Sequence, residues 1–162
     1  MLNFRVATES DWPGIWPFWH RIAVEAETYT WHPESTSDQA AAGWLLQPPG
    51  RTLVGVDDDG GIRASAQLQP NYGPASKIAN ASFIVDPDFA GRGIGRQLVA
   101  HVLDEARRDG YRAMVFNAVV ETNAAAVHLY ETFGFTTLAT VPEAFDHPTR
   151  GLVGVHIMHI RL

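Results

Sequence analysis

Apolar and polar positions along this chain follow two periods, and the changes of period divide it into strands and helices. Residues 2–7 alternate, with Phe4 and Val6 on one face of a first strand. The spacing then becomes helical, and Ile15, Trp16, Trp19, Ile22 and Ala23 share a face. Ser10 or Asp11 is the expected N-cap and Pro13 fits the first turn, whereas Pro17 should delay or kink the helix start. A second helix is capped within 35–38, carries Trp44, Leu45 and Leu46, and stops at Pro48 and Pro49. Runs at 51–56, 62–68 and 77–85 predict three strands. The first two are joined by an Asp-Asp-Asp-Gly-Gly turn at 57–61, and a loop at 70–74 precedes the third. Ile94, Leu98, Val99, Val102, Leu103 and Ala106 form a helical stripe over 94–109, closed by Gly110. A strand at 113–119, a helix at 123–133 ended by Gly134, and a strand at 135–141 follow. A polar excursion at 142–151 and a last strand at 152–161 complete the order. The pattern predicts a single α/β domain over 1–162, with about seven strands and four helices. The strand–helix–strand unit over 77–119 should make parallel neighbours.

The junction inside that unit carries the candidate chemistry. Asp86, Pro87 and Asp88 stop the strand, and Gly91, Gly93 and Gly95 then occupy alternate positions before the helix. Such a loop lets backbone N–H groups face one point, and the first helical turn adds unpaired N–H groups and the positive end of the helix dipole. Arg92 and Arg96 add positive charge. The pattern suits a phosphate or pyrophosphate, with a glycine-rich turn that binds nothing as the alternative. No Lys follows the glycines, as a P-loop requires, and the spacing is tighter than that of a dinucleotide fingerprint.

Composition narrows the classes. The net charge of −6 argues against a nucleic-acid surface. The chain has no cysteine, which excludes disulfides, cysteine-rich zinc sites and a cysteinyl acyl intermediate. His156 and His159 have helix-like spacing, but in a strand they face opposite sides, so no metal is expected. No apolar run is long enough to span a bilayer and no leader pattern opens the chain, so a soluble cytoplasmic protein is expected, without a membrane partner. All five tryptophans fall within the first 44 residues, where core packing is the ordinary explanation.

Downstream, residues 123–130 read Asn-Ala-Ala-Ala-Val-His-Leu-Tyr and lead to Phe-Gly-Phe at 133–135. Together with the glycine loop, this segment resembles the GCN5-related N-acetyltransferase (GNAT) superfamily over roughly residues 80–136. One departure is Ala90, where the family pattern has Gln or Arg; a side-chain contact is lost but no backbone donor. The resemblance implies a mixed, mostly antiparallel sheet whose fourth and fifth strands splay apart to admit the pantetheine arm of acetyl-CoA. Gly91, Arg92, Gly93, Ile94, Gly95 and Arg96 would hold the pyrophosphate. Asn123, Ala126 and Tyr130 would contact the cofactor from the next helix, with helix capping as the other role for Asn123. The N–H of Ile84 or Val85 would polarise the thioester carbonyl. Tyr130 would be the general acid, as a phenol of ordinary pKa near 10.

The trio Asn80, Asn117 and Asn123, with Phe83, resembles the branch that acetylates proline analogues such as azetidine-2-carboxylate. It implies that Asn80 binds the substrate and that Asn117 orients the amine. Thr28 and Tyr29, with Trp31, would line the acceptor side, because the family builds that side from its first two helices and their loop. Asparagine does not titrate near neutrality, so neither Asn80 nor Asn117 is a base; the amine's proton would go to water, through Glu121 or a main-chain carbonyl. The expected reaction is direct acetyl transfer from acetyl-CoA to a small-molecule amine. The alternatives are a protein or peptide amine as acceptor, or a non-catalytic acetyl-CoA sensor. A homodimer would follow the family's habit.

Overall fold

The computed structural model describes residues 2–162. Seven strands form one sheet in the order β1-β2-β3-β4-β5-β7-β6. They are β1 (Asn3–Val6), β2 (Arg51–Val56), β3 (Ile62–Pro70), β4 (Ile78–Val85), β5 (Ala113–Val120), β6 (Thr136–His147) and β7 (Gly151–Arg161). The helices are α1 (Trp12–Glu25), α2 (Ser37–Trp44), α3 (Ile94–Arg108) and α4 (Ala124–Thr132). Every pairing is antiparallel except β4 with β5.

Strand alternation divides the core into two layers. On one face, Leu53, Ala64, Ala66, Leu68, Ala79 and Ala81 pack under the α3 stripe. On the other, Val54 and Ile84 pack under Trp12, Ile15, Trp19 and Trp44 of α1 and α2. Small residues on β3 and β4 let α3 lie close to the sheet. Arg51 ties β2 to the end of α3 by pairing with Glu105 and Asp109.

Two expectations are corrected. Pro17 neither delays nor interrupts α1, which runs unbroken from Trp12. It lies in the second turn, so its missing N–H costs only the bond to the Pro13 carbonyl. Asp11 holds the N-cap position of α1, as expected, but its side chain makes no capping bond there, and the chain enters the helix through a short 3-10 turn capped by Thr8. The Asp11 carboxylate instead receives the Arg5 guanidinium at 2.7 Å and the Thr8 N–H at 2.7 Å. The second correction concerns 142–151. Most of it is strand, because β6 continues to His147 through a shift of register between Val141 and Phe145. The extra residues let Pro142 sit in an edge strand, and they turn Phe145 onto Val120, Val153 and Val155.

The one parallel pairing positions the site. β4 and β5 are in register only at Ile78 with Ala113 and at Ala79 with Met114. Beyond those pairs they diverge, while β4 stays paired to β3 up to Val85 and β5 turns to β7. The sheet therefore opens at its centre. Among the described residues no helix is long and apolar enough to cross a membrane.

Candidate active site

A cleft of about 580 Å³ fills this opening. β4 contributes Asn80 to Val85 in succession, β5 contributes Phe116, Asn117, Ala118 and Val119, and α4 contributes Ala126, Leu129 and Tyr130. The loop after α1 closes one end with Thr28, Tyr29 and Trp31. Of the residues singled out in the sequence, Thr28, Tyr29, Asn80, Phe83, Ile84, Val85, Gly95, Asn117, Asn123, Ala126 and Tyr130 all line it.

The backbone of β4 explains what its edge offers. Asp86 donates its N–H to the Arg63 carbonyl at 2.9 Å, so its polar groups face β3. Phe83 faces the other way, and both its N–H and its carbonyl meet the Tyr29 hydroxyl, at 2.9 and 2.7 Å. Antiparallel strands alternate these directions residue by residue. Ile84 therefore turns its N–H to β3 and its side chain into the core, and of the two it is Val85 that directs its N–H into the opening. This corrects the expectation that either residue could polarise a bound carbonyl.

At the mouth, Gly91 and Gly93 adopt φ of +74° and +75°, and a Cβ on either would meet nothing within 4 Å. The space above their backbone is open, and left-handed φ is costly for any other residue. Gly95 has no such φ, and a Cβ there would make an ordinary contact with Leu129 at 3.5 Å. The first intrahelical bond of α3 runs from the Gln97 N–H to the Gly93 carbonyl, leaving the preceding N–H groups without an acceptor in the helix. Arg92 stacks on Phe89, and Arg96 lies over Phe133 and donates to Thr132. Arg92, Arg96, Gly91, Gly93 and Ile94 do not line the cleft; they adjoin Ala90 and Gly95, which do. Ile94 puts its side chain into the core and has only backbone to offer a ligand.

Deeper in, Tyr130 packs against Phe116 at 4.6 Å between ring centroids and is buried, yet its hydroxyl has no hydrogen-bond partner among the described residues. Burial first, and then the neighbouring Tyr29, push its phenol well above the ordinary tyrosine range, so it carries its proton more firmly than the sequence suggests. Burial likewise raises Tyr29. Asn123 caps α4, its Oδ1 accepting the Ala126 N–H at 3.3 Å, while it lines the cleft. Glu121 does not line the cleft, and its carboxylate accepts the Gly154 N–H.

The acceptor end is aromatic. Tyr29 stacks on Trp31 at 4.0 Å, and Trp31 on Trp19 at 4.4 Å. The tryptophans are therefore both core and wall. Asn71 was not foreseen. It sits in the loop after β3 and bonds Asn117, a contact that no local sequence signal marks.

Comparison with known proteins gives a consistent picture. Residues 16–135 match the Acetyltransferase (GNAT) family. The chain is 33% identical over 97 residues to N-acetyltransferase aca1 of Schizosaccharomyces pombe, covering 59% of this chain and 46% of that protein. It is 27% identical to L-amino acid N-acyltransferase MnaT of Escherichia coli over 88% of this chain and 84% of that protein. It is 47% identical to the [ribosomal protein bS18]-alanine N-acetyltransferase of Salmonella typhimurium over 83% of this chain and 81% of that one. Among solved structures, a GCN5-related N-acetyltransferase from Kribbella flavida superposes with a TM-score of 0.94 at 48% identity, covering 99% of this chain and 98% of that one. yncA of Salmonella typhimurium, solved with its cofactor acetyl-CoA, superposes with a TM-score of 0.84 at 23% identity, covering 100% and 94%.

Proposed function

The chain belongs to the GNAT acetyltransferase family, and from that premise we propose that it moves the acetyl group of acetyl-CoA directly onto the amine of a small, amino-acid-like molecule. The observation that carries the proposal is the central cleft. The open Val85 N–H, the Asn80 and Asn117 amides and the unpartnered Tyr130 hydroxyl share one lining, behind an entrance of bare glycine backbone and two arginines.

The residues fit the cofactor. Gly91 and Gly93 leave room for a pyrophosphate against the α3 N-terminus, with Arg92 and Arg96 beside it. The edge of β4 at Val85, past the Phe83 groups that Tyr29 holds, suits the amide-bearing pantetheine arm. Acetyl-CoA supplies an activated thioester, whose carbonyl carbon bonds to the amine nitrogen as the carbon–sulfur bond breaks. Val85 directs its N–H at the charge that develops on the carbonyl oxygen. Asn117 orients the amine and Asn80 holds a polar group of the acceptor. Neither titrates, and the amine's proton passes to water. Tyr130, whose hydroxyl lines the cleft with no hydrogen-bond partner among the described residues, donates to the departing sulfur.

The relatives' names support an acceptor of amino-acid kind, and the narrower reading is a proline analogue or another amino acid. A second reading, a protein N-terminus, is favoured by the likeness to the bS18-alanine enzyme. The test is thiol release from acetyl-CoA with L-azetidine-2-carboxylate, L-methionine sulfoximine, free amino acids and alanine-starting peptides, for the wild type and Tyr130→Phe. Turnover should appear on free amino acids or their analogues. Tyr130→Phe should lower kcat by about 100-fold or more while acetyl-CoA still binds. Turnover confined to peptides would replace the small-molecule reading, and an unaltered kcat would remove Tyr130 as the acid.

A further inference from the structure

We propose that Asn71 is a positioning residue that sets the orientation of the Asn117 amide, an inference resting on the role given above to Asn117. The two side chains form a reciprocal pair. Asn71 Nδ2 donates to Asn117 Oδ1 at 2.9 Å, and Asn117 Nδ2 donates to Asn71 Oδ1 at 3.1 Å. An amide has two N–H groups and two acceptor positions, so this ring takes one of each from Asn117 and leaves one of each for the cleft.

Asn117 needs such a restraint because its strand does not provide one. It lies beyond the point where β5 leaves β4, and in the register shift between Phe116 and Val119, where β5 also loses step with β7. The outer torsion of an asparagine side chain is broad, and without a partner the amide would sample rotations that exchange its donor and acceptor faces.

Asn71 is built to hold still. It is 8% exposed, and its backbone N–H donates to the Ile78 carbonyl at 2.8 Å, closing the loop between β3 and β4. Tyr72 follows with φ of +61° and is 74% exposed, and Gly73 has φ of +104°. A left-handed tyrosine is strained. Here the strained residue points into solvent while its buried neighbour bonds Asn117, which lines the cleft.

The experiment compares Asn71→Ala, the nearly isosteric Asn71→Asp, Asn117→Ala and the Asn71→Ala/Asn117→Ala double variant. Turnover is read by thiol release with L-azetidine-2-carboxylate or L-methionine sulfoximine, whichever the wild type turns over faster. Acetyl-CoA affinity, measured by calorimetry, checks that each variant is folded. The Asn117 side-chain amide is followed by 15N NMR, assigned from its loss in Asn117→Ala, and needs no acceptor. Asn71→Ala and Asn71→Asp should each lower kcat about tenfold to 100-fold, with acetyl-CoA Kd within twofold of wild type. The double variant should be no slower than Asn117→Ala, and the Asn117 amide signals should move in both Asn71 variants. Unmoved signals, unchanged kcat, or a double variant whose losses multiply would overturn the proposal. If Asn117→Ala alone turns over like the wild type, the role of Asn117 falls and the positioning role falls with it. If only the Asn71 variants are silent, Asn117 keeps its role and Asn71 loses its own.

Discussion

Asp11 shows how much one side chain decides at the residue scale. It is buried at the foot of α1, and the Arg5 guanidinium with two hydrogen bonds from Thr8 outweighs the cost of burial, pulling its carboxyl down to about 2. A carboxylate with a depressed pKa stabilises the fold above its ordinary value near 4, and that contribution is lost as the pH falls through about 2. Asp11→Asn should therefore cost about 1–2 kcal/mol at neutral pH in urea unfolding. The deficit should shrink between pH 4 and 2, and a constant deficit would contradict the assignment. Tyr29 was legible as a cleft residue, but its hydroxyl's grip on Phe83 was not, because the two lie 54 residues apart. Tyr29→Phe leaves a backbone N–H and carbonyl of β4 without their partner. It should destabilise by about 1–3 kcal/mol, measured by thermal unfolding.

At the scale of elements, α3 does two jobs with two sets of residues. Its stripe holds the sheet, and Leu98 is fully buried, so Leu98→Ala should cost about 2–5 kcal/mol of stability. Its N-terminus serves the ligand, and Gly93→Ala should cost only about 1–2 kcal/mol of stability, through the left-handed φ, while also weakening acetyl-CoA binding. Calorimetry on both variants separates the roles; equal losses of affinity would merge them. Local rules reached this helix within a residue at each end, because spacing, glycine cap and burial agree there. They missed β6 after Val141, because Pro142 with Glu143, Asp146 and His147 reads as loop. An edge strand with shifted register tolerates what a central strand does not.

For the whole molecule, the net charge of −6 is opposed locally by Arg92 and Arg96, which flank the glycine turn beside the cleft. Acetyl-CoA at about 100 times its Kd should add about 2.7 kcal/mol to stability, raising Tm by roughly 5–10 °C. The rise should shrink in the Arg92→Ala/Arg96→Ala double variant and in high salt. An unchanged Tm on adding acetyl-CoA would contradict the proposed cofactor.

The sequence by itself determined the order of strands and helices, the glycine loop at the head of α3, and the segment from Asn123 to Tyr130, because each rests on contacts between residues near in the chain. Tertiary structure alone decided which way the N–H groups of β4 turn, that Glu121 bonds Gly154 instead of lining the cleft, and that the Tyr130 hydroxyl has no hydrogen-bond partner among the described residues. It alone paired Asn71 with Asn117, 46 residues away. These depend on where two strands part company, and the divergence of β4 from β5 is a property of the assembled sheet rather than of either strand's own pattern.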